Sequence, residues 1–311
     1  MTARHCSISI DLDSIACYYK IHGLGPAPAE LERVILDRAL PRAAALFGKR
    51  GVHVTWFVVG RDVETDPEAA DRLRALAAAG DELGNHSYSH PYELARLPDA
   101  EVDAEIAGCD RVLRTLGKVF GFRAPGYDVS PAMLDTLARL GYRYDSSIFP
   151  APGYYAAKAA VMTALALTRR PSGAVMIDPR SQLAPGDPYR PAMTAPWRRG
   201  QAPVVELPIA VTPFARVPAI GTLLLVAPSW VRARVIAAMT RRPFFNFELH
   251  GIDFADAEQD GIPGELVERQ PDLRVPVAAK LERLDRTLDT IGQRWSFATL
   301  GDVATEIQRD S

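Results

Sequence analysis

The sequence predicts an α/β barrel, in which parallel strands alternate with helical crossovers. In the first half of the chain, short apolar runs alternate with helix-like segments, and the connections between them are short. Parallel strands require such crossovers. In addition, polar residues recur where successive strands should end, which is where α/β barrels place their functional residues. We therefore expect a single domain over residues 1–311, although this length would also accommodate two domains.

Individual segments support this alternation. The run Val52–Gly60 (VHVTWFVVG) is almost continuously apolar, the pattern of a strand buried on both faces. Shorter strands are predicted at CSISI, DELGNH, VFGFRAPG and YRYDSSIF. Asp66 can cap a helix that starts at Pro67, and SPAMLDTLARLGY begins with a similar Ser-Pro signal.

The segment 150–202 interrupts the alternation and is predicted to be an insertion beside the functional site. Its first part, GYYAAKAAVMTALALTRR, is compatible with a helix, and the remainder is rich in Pro, Arg, Gly and Asp. Five of its residues are suited to line a sugar or phosphate pocket: Tyr154, Tyr155, Trp197, Arg198 and Arg199. Strands are predicted again at APVVELPIAV and PFFNFELHGIDF, and a last strand and helix at WSFATLGDVATEIQ.

Composition argues against several functional classes. The net charge is −2, so no basic excess indicates a nucleic-acid partner. The cysteines Cys6, Cys17 and Cys109 are odd in number and form no CxxC, which fits a reducing compartment rather than a disulfide framework. The N-terminus lacks the apolar run of a signal peptide, and no stretch reaches the roughly 18 apolar residues of a spanning helix. We therefore expect a cytoplasmic protein.

Asp11, Asp13, His86 and His90 form a candidate metal site at two predicted strand ends. Strand alternation would place Asp11 and Asp13 on one face, where two close carboxylates need a cation or an arginine to balance their charge. His86 and His90, in ELGNHSYSHP, would add two imidazoles to the carboxylate of Asp13. This set suits Zn²⁺ or another divalent ion.

Alternatives remain for each part of this set. The two aspartates would also fit a solvated turn or a helix cap, and the HxxxH pair would fit a turn that happens to hold two histidines. Two histidines and one carboxylate also occur in non-haem iron oxygenases. The usual His-x-Asp/Glu order of those enzymes is absent here. A second aspartate favours hydrolysis, which needs a base to accept a proton from water.

Three further residues are candidates for catalysis. Arg123, in FRAPGYD, can hold Asp11 through a bidentate pair, or it can form a structural ion pair near a turn. The Tyr127 amide is a candidate oxyanion donor. His250, in FELHGIDF, is a candidate general acid for a leaving amine, or a core histidine. Such an acid needs a carboxylate to fix its tautomer. Two carboxylates are candidates for that role: Glu206 and Asp253.

In order along the chain, SIDLDS, NHSYSHP, FRAPGYD, VELP and FELHGID resemble the motifs of the polysaccharide deacetylase family, also called NodB-homology or carbohydrate esterase family 4. The resemblance implies a distorted or incomplete (β/α)7 barrel and a metal-dependent amide hydrolase that uses Zn²⁺, Co²⁺, Ni²⁺, Fe²⁺ or Mn²⁺. It also implies residue roles: Asp11 as base, Asp13, His86 and His90 as metal ligands, Arg123 as the residue that orients the base, Tyr127 as oxyanion donor and His250 as acid.

The chain departs from this family in two motifs. Asp-Leu-Asp-Ser replaces the adjacent aspartates and glycine of most members, and VELP stands where a tryptophan-bearing motif is usual. The spaced aspartates resemble allantoinase-like enzymes and lipid-linked aminoarabinose deformylases. These departures concern the substrate more than the chemistry.

The expected function is N-deacetylation of an N-acylated amino sugar. The alternatives are a deformylase, a cyclic-amide hydrolase and a non-catalytic glycan- or lipid-binding barrel. The segment Val217–Arg242 combines an apolar run with four arginines, which suits contact with an anionic membrane surface and a lipid-linked glycan substrate at the inner face of the membrane. An ordinary barrel helix with a basic face is the alternative for this segment.

Overall fold

The structure is a computed structural model that describes residues 4–167, 173 and 175–309. In these residues, eight strands form one parallel sheet, and β6 and β7 form a separate antiparallel hairpin. The strands are β1 (His5–Asp11), β2 (Thr55–Val58), β3 (Glu82–Asn85), β4 (Val119–Phe122), β5 (Tyr144–Asp145), β6 (Pro191–Ala192), β7 (Ala195–Arg199), β8 (Val205–Glu206), β9 (Phe244–His250) and β10 (Ser296–Phe297).

Helices cover the sheet and connect its strands. The α-helices are α1 (Ile15–His22), α2 (Leu40–Arg50), α3 (Gly60–Glu64), α4 (Pro67–Ala78), α5 (Asp99–Leu113), α6 (Pro131–Arg139), α7 (Pro152–Leu167), α8 (Gly221–Val226), α9 (Ser229–Met239), α10 (Ala257–Asp260), α11 (Gly264–Arg269), α12 (Val277–Gly292) and α13 (Leu300–Arg309). Short 3-10 or π turns lie at Ala29–Leu31, Ile35–Ala39, Leu94–Arg96, Pro125–Tyr127, Pro179–Leu183, Gly251–Phe254 and Pro271–Arg274.

The sheet curls into an incomplete barrel. β9 pairs with β1 along its whole length, whereas β10 pairs with the start of β1 and β2 pairs with its end. β10 and β2 therefore lie on the same side of β1. Around the barrel, the seven strand positions are taken in turn by β9, β1, β2, β3, β4, β5 and β8. Past β8, the amide of Ala210 donates to the carbonyl of Asn246 in β9 at 3.2 Å. The predicted incomplete (β/α)7 barrel is confirmed.

Local signals in the sequence set several of these elements. The carboxylate of Asp66 caps α4 by accepting from the amide of Ala69 at 3.1 Å, and a proline follows it at the first helical position. Ser130 caps α6 in the same way through the amide of Met133 at 3.3 Å. Trp56 in β2 is fully buried, as expected for a strand covered on both faces.

Segment 150–202 begins with α7 and ends with the β6–β7 hairpin. The last three residues of the helix predicted there, TRR at 168–170, lie outside the described residues. The apolar segment Val217–Arg242 forms two helices, α8 and α9, which are separated at Ala227–Pro228. Among the residues that the structure describes, no helix has both the length and the apolar character needed to cross a membrane.

Gly121 of β4 leaves room for an aromatic ring that ties three strands together. It pairs in register with Tyr144 of β5, whose hydroxyl donates to Oε1 of Glu82 on β3 at 2.9 Å. A Cβ atom at position 121 would overlap the Tyr144 ring. We expect Gly121→Ala to lower the free energy of unfolding by about 1–3 kcal/mol, measured by denaturant titration, because the ring has to move.

Gly48→Ala is the matched control for this substitution. Gly48 lies in α2, and nothing lies within 4 Å of a Cβ atom built there. An alanine in a helix should stabilise the protein by roughly 0.5–1 kcal/mol relative to glycine. Equal changes in stability for the two substitutions would contradict the account of the Tyr144 ring.

Candidate metal and catalytic site

The carboxyl ends of the barrel strands open into a cavity of about 420 Å³. The structure brings six of the predicted site residues to its lining: Asp11, Asp13, His86, His90, Tyr127 and His250. They come from four different parts of the chain, which the parallel sheet brings to one edge. Arg123 is completely buried directly after β4.

Asp13, His86 and His90 converge on one point. The Nε2 atom of each imidazole lies 3.1 Å from Asp13 Oδ1, but neither contact has hydrogen-bond geometry, so this buried oxygen has no donor among the described residues. The Nδ1 atom of His86 lies 2.7 Å from the carbonyl oxygen of Arg123. A carbonyl can only accept, so Nδ1 carries a proton, and in the neutral ring Nε2 is then the nitrogen that offers a lone pair. The set fits a divalent cation.

The imidazoles of His86 and His90 balance the negative charge of Asp13 in this group of candidate metal ligands. Burial alone would raise the pKa of Asp13, but attraction to His90 and His86 outweighs it and holds that pKa well below its usual value. Burial likewise opposes a charge on His90, yet Asp13 raises the pKa of His90 well above its usual value. A bound cation would supply the positive charge instead.

The HxxxH pair lies in a loop after β3 rather than on a helix. Ser87 and His90 have φ angles of 63° and 57°, in the left-handed region that is uncommon for residues other than glycine. Asn85 Oδ1 accepts from the Ser87 amide at 2.8 Å, and Ser87 Oγ accepts from the His90 amide at 3.2 Å. These hydrogen bonds hold the unusual backbone and thereby set the direction of both imidazoles.

Arg123 has hydrogen bonds from all parts of its guanidinium group. Nη1 donates to Asp11 Oδ1 at 2.6 Å, and Nε donates to the carbonyl of Ser146 at 2.9 Å. Nη2 donates to the hydroxyls of Ser9 and Ser146, each at 2.9 Å. The guanidinium carbon also lies 4.2 Å from the centre of the Phe57 ring. The pair with Asp11 is therefore single rather than bidentate as predicted, because Nη2 is used by serine hydroxyls.

The single bond determines which oxygen of Asp11 faces the cavity. Oδ1 is taken by Arg123, and Oδ2 lies 3.8 Å from His86 Nε2 and 4.0 Å from His250 Nε2. One carboxylate oxygen thus lies between the candidate metal ligands and the candidate acid.

Glu248, which the sequence analysis missed, is the carboxylate beside His250. Its Oε1 atom lies 3.4 Å from His250 Nε2 and accepts from the Tyr127 hydroxyl, which itself lies 2.9 Å from the same nitrogen. Burial lowers the pKa of His250, but Glu248 and then Asp11 raise it to a net value of about 9. The imidazole is therefore protonated at neutral pH.

Glu206, one of the two predicted candidates for the partner of His250, has other contacts instead. Glu206 Oε1 accepts from the amide of Ile148 at 3.0 Å, and the residue pairs with Asp145 across β5 and β8. Burial and the neighbouring Asp145 raise the pKa of Glu206 well above its usual value. The contacts of Glu206 are thus with the segment after β5, whereas Glu248 shares β9 with His250.

Two other predicted contacts involve backbone amides. Asp253 Oδ2 accepts from the amide of His250 at 3.0 Å, so it holds the backbone rather than the ring. The Tyr127 amide donates to the carbonyl of Ala124 at 3.3 Å in a turn where Tyr127 has a φ of 64°. The hydroxyl of Tyr127, rather than its amide, contacts His250 in this structure.

Asp11, Glu248 and His250 also lie close enough together to suggest a second cation site. Protein donors already occupy them, however, because Arg123 donates to Asp11 and the Tyr127 hydroxyl contacts both other residues. This group is therefore a hydrogen-bond network, whereas the Asp13 oxygen has no such donor.

Only some of the predicted pocket residues in segment 150–202 lie at the cavity. Tyr154 lines the cavity and Tyr155 is buried behind it. Trp197 stacks on Arg180, and none of Trp197, Arg198 and Arg199 lines the cavity. The sequence analysis missed four other cavity residues of α7: Ala157, Lys158, Val161 and Met162.

Comparison with known sequences identifies part of the chain. Residues 34–144 match the family model of polysaccharide deacetylase. A peptidoglycan deacetylase of Helicobacter pylori is 28% identical over 142 residues, which cover 45% of this chain and 47% of that protein. The match therefore spans less than half of the relative's length. The family match includes His86, His90, Arg123 and Tyr127 but ends before His250.

Comparison with solved structures extends the likeness to nearly the whole fold. A protein from Mycobacterium smegmatis, predicted to be a polysaccharide deacetylase, aligns with a TM-score of 0.62 at 16% identity and covers 99% of this chain and 92% of its own. PuuE allantoinase aligns with a TM-score of 0.59 at 13% identity, covering 97% and 89%. At these identities the likeness concerns the fold alone. Residues 34–144 are thus similar in sequence to polysaccharide deacetylases, and the described residues share the fold of these two solved structures.

Proposed function

We propose that the chain is a metal-dependent hydrolase that removes an N-acyl group, in the first place N-acetyl, from an amino sugar. One observation carries the proposal. Asp11 Oδ2 lies 3.8 Å from Nε2 of His86, a candidate metal ligand, and 4.0 Å from Nε2 of the protonated His250. A candidate base, the candidate metal ligands and a candidate acid therefore face one cavity. Amide hydrolysis by a metal-dependent enzyme requires this combination.

Asp13, His86 and His90 would hold the metal ion. Two imidazoles and one carboxylate suit Zn²⁺, with Co²⁺, Ni²⁺, Fe²⁺ and Mn²⁺ as alternatives. The donor-free Asp13 oxygen and the fixed tautomer of His86 support this assignment. When bound, such an ion polarises the acyl carbonyl and makes water a better nucleophile at neutral pH.

The chain's own residues supply the proton transfers. Asp11, held by Arg123 through Oδ1, accepts a proton from the attacking water at Oδ2. His250 gives its proton to the departing amine, while Tyr127 and Glu248 hold the ring and stabilise its charge. For the Tyr127 amide to bind the oxyanion, it has to leave its long bond to the carbonyl of residue 124.

The proposed reaction also allows other acyl groups and a substrate that is attached to a lipid. The fold shared with an allantoinase keeps a cyclic amide as an alternative substrate, and a formyl group needs the same machinery. A lipid-linked glycan handled at the inner face of a membrane is supported by exposed apolar side chains in the Val217–Arg242 segment. Val226 is 41% exposed and Trp230 is 61% exposed, with Arg234 above the Trp230 ring.

The first test measures metal content and acyl release on the same samples. After reconstitution with Zn²⁺, we expect about one ion per chain and acetate release from N-acetylated amino sugars. Asp11→Asn should keep the ion but lose activity by about 10²–10⁴-fold, because the base is gone while the amide oxygen still accepts from Arg123. His90→Ala should lose both the ion and the activity, because a metal ligand is missing.

The outcomes separate the competing functions. Formate release without acetate release would identify a deformylase. Full activity of Asp11→Asn would contradict the assignment of the base. If no ion binds even after reconstitution, the metal site does not exist, and a non-catalytic binding barrel becomes the better description.

The second test concerns the acid. Because His250 acts in its protonated form, kcat/KM should fall as the pH rises through its pKa of about 9. Glu248 is the largest charge that raises this pKa. Glu248→Gln should therefore lower the pKa and move the alkaline limb of the pH–rate profile to lower pH by about 1 unit or more.

Glu206→Gln is the matched control for the pH profile. Burial and Asp145 raise the pKa of Glu206, which favours the neutral carboxyl, and glutamine is close to that form in shape and charge. The alkaline limb should stay in place in this variant. A limb that moves in Glu206→Gln and stays in Glu248→Gln would restore Glu206 as the partner of His250.

A further inference from the structure

Helix α7 faces the cavity with a stripe of residues that contains one cation. The residues of this stripe are three or four positions apart: Tyr154, Ala157, Lys158, Val161 and Met162. That spacing is one face of an α-helix. Lys158 is the single charged residue among the sixteen of α7, so the stripe is apolar except for its ammonium group.

The ammonium group of Lys158 has neutral partners only. It donates to the carbonyl of Val175 at 2.9 Å and to the hydroxyl of Tyr92 at 3.3 Å. No carboxylate of the described residues forms an ion pair with it. Burial lowers the pKa of Lys158 to about 8, so the group is charged at neutral pH although it has lost part of its solvation. An anion that binds there would replace that lost solvation.

Tyr92 connects this cation to the candidate metal site. It follows His90 by two residues, and its side chain lines the same cavity as Asp13 and Lys158. A ligand bound at the metal site would therefore share this cavity with the ammonium group of Lys158.

Apart from the imidazoles of the candidate site, of which the protonated His250 already faces Glu248, the described cavity lining offers an anion no other cation than Lys158. Lys158 is the single Lys or Arg among the described residues that line it. His22 also lines the cavity, but burial lowers the pKa of His22, and its Nε2 contacts Gln270 at 3.1 Å. Next to Lys158 on its own helix, Val161 is 59% exposed and offers an apolar surface.

We propose that Lys158 binds a phosphate group of the substrate, so that the hydrolase acts on a phosphorylated N-acyl amino sugar. The inference rests on the proposed function and specifies the substrate class of the same site. A lysine ammonium is a point charge suited to phosphate, and two turns of apolar side chains flank it. Two sources share this chemistry: a soluble sugar phosphate, and a sugar phosphate carried on an apolar chain.

The test compares kcat/KM for acetate release from N-acetylglucosamine and from N-acetylglucosamine 1-phosphate, with the zinc-loaded protein. We expect a preference for the phosphate of about tenfold or more, the range of a hydrogen bond to a charged group. Lys158→Gln should abolish this preference, and Lys158→Arg should retain most of it. Lys49→Gln, an exposed lysine on α2, is the matched control and should leave the preference unchanged.

A preference that persists in Lys158→Gln, or equal kcat/KM values for the two sugars in the native protein, would overturn the inference while the hydrolase function stands. Isothermal titration calorimetry with both sugars tests whether the phosphate site exists in the absence of hydrolase activity. If no acetate is released but the sugar phosphate binds more tightly in a Lys158-dependent way, the phosphate site stands and the proposed function fails.

Esters of the sugar phosphate distinguish its two sources. A higher kcat/KM for the decyl ester than for the methyl ester would assign the phosphate to an apolar carrier, as the stripe on α7 favours. Equal values would assign it to a soluble sugar phosphate. Both results support a phosphate site at Lys158, provided that the preference depends on this residue.

Discussion

The buried ion pair between Arg123 and Asp11 is the interaction on which both the barrel and its site depend. Both side chains are almost fully buried, and removal of one partner from such a pair costs about 3–5 kcal/mol because it leaves an unpaired charge. Arg123 also bonds Ser9 and Ser146, so one guanidinium group joins the ends of β1, β4 and β5. The same group leaves one oxygen of Asp11 free to face the cavity, which couples the fold to the chemistry.

Three buried carboxylates share this site, and each has a different partner. Asp13 faces the imidazoles of His86 and His90, Asp11 faces Arg123, and Glu248 faces Tyr127 and His250. Because like charges this close would otherwise repel, separate partners allow separate roles. The first carboxylate is suited to bind a cation, the second to accept a proton, and the third to hold a protonated imidazole.

Strand ends in the sequence were enough to predict much of this site, since parallel strands bring their carboxyl ends to one edge. Asp11, Asp13, His86 and His90 could be placed in this way. Glu248 carried a signal that was overlooked: in FELH it precedes His250 by two residues, so strand alternation puts both on one face. Two features of the barrel could not be predicted in this way: β2 and β10 share one side of β1, and the barrel closes near β8. Both depend on pairings between distant parts of the chain, which leave no local pattern in the sequence.

We expect the cation to bind at Asp13, His86 and His90, and not at the adjacent group of Asp11, Glu248 and His250. Anomalous diffraction at the zinc edge from crystals soaked in Zn²⁺ tests this expectation most directly. We predict one peak that is bonded to Asp13 Oδ1 and to Nε2 of both imidazoles. A peak between Asp11, Glu248 and His250 instead would contradict the roles assigned to the base and the acid.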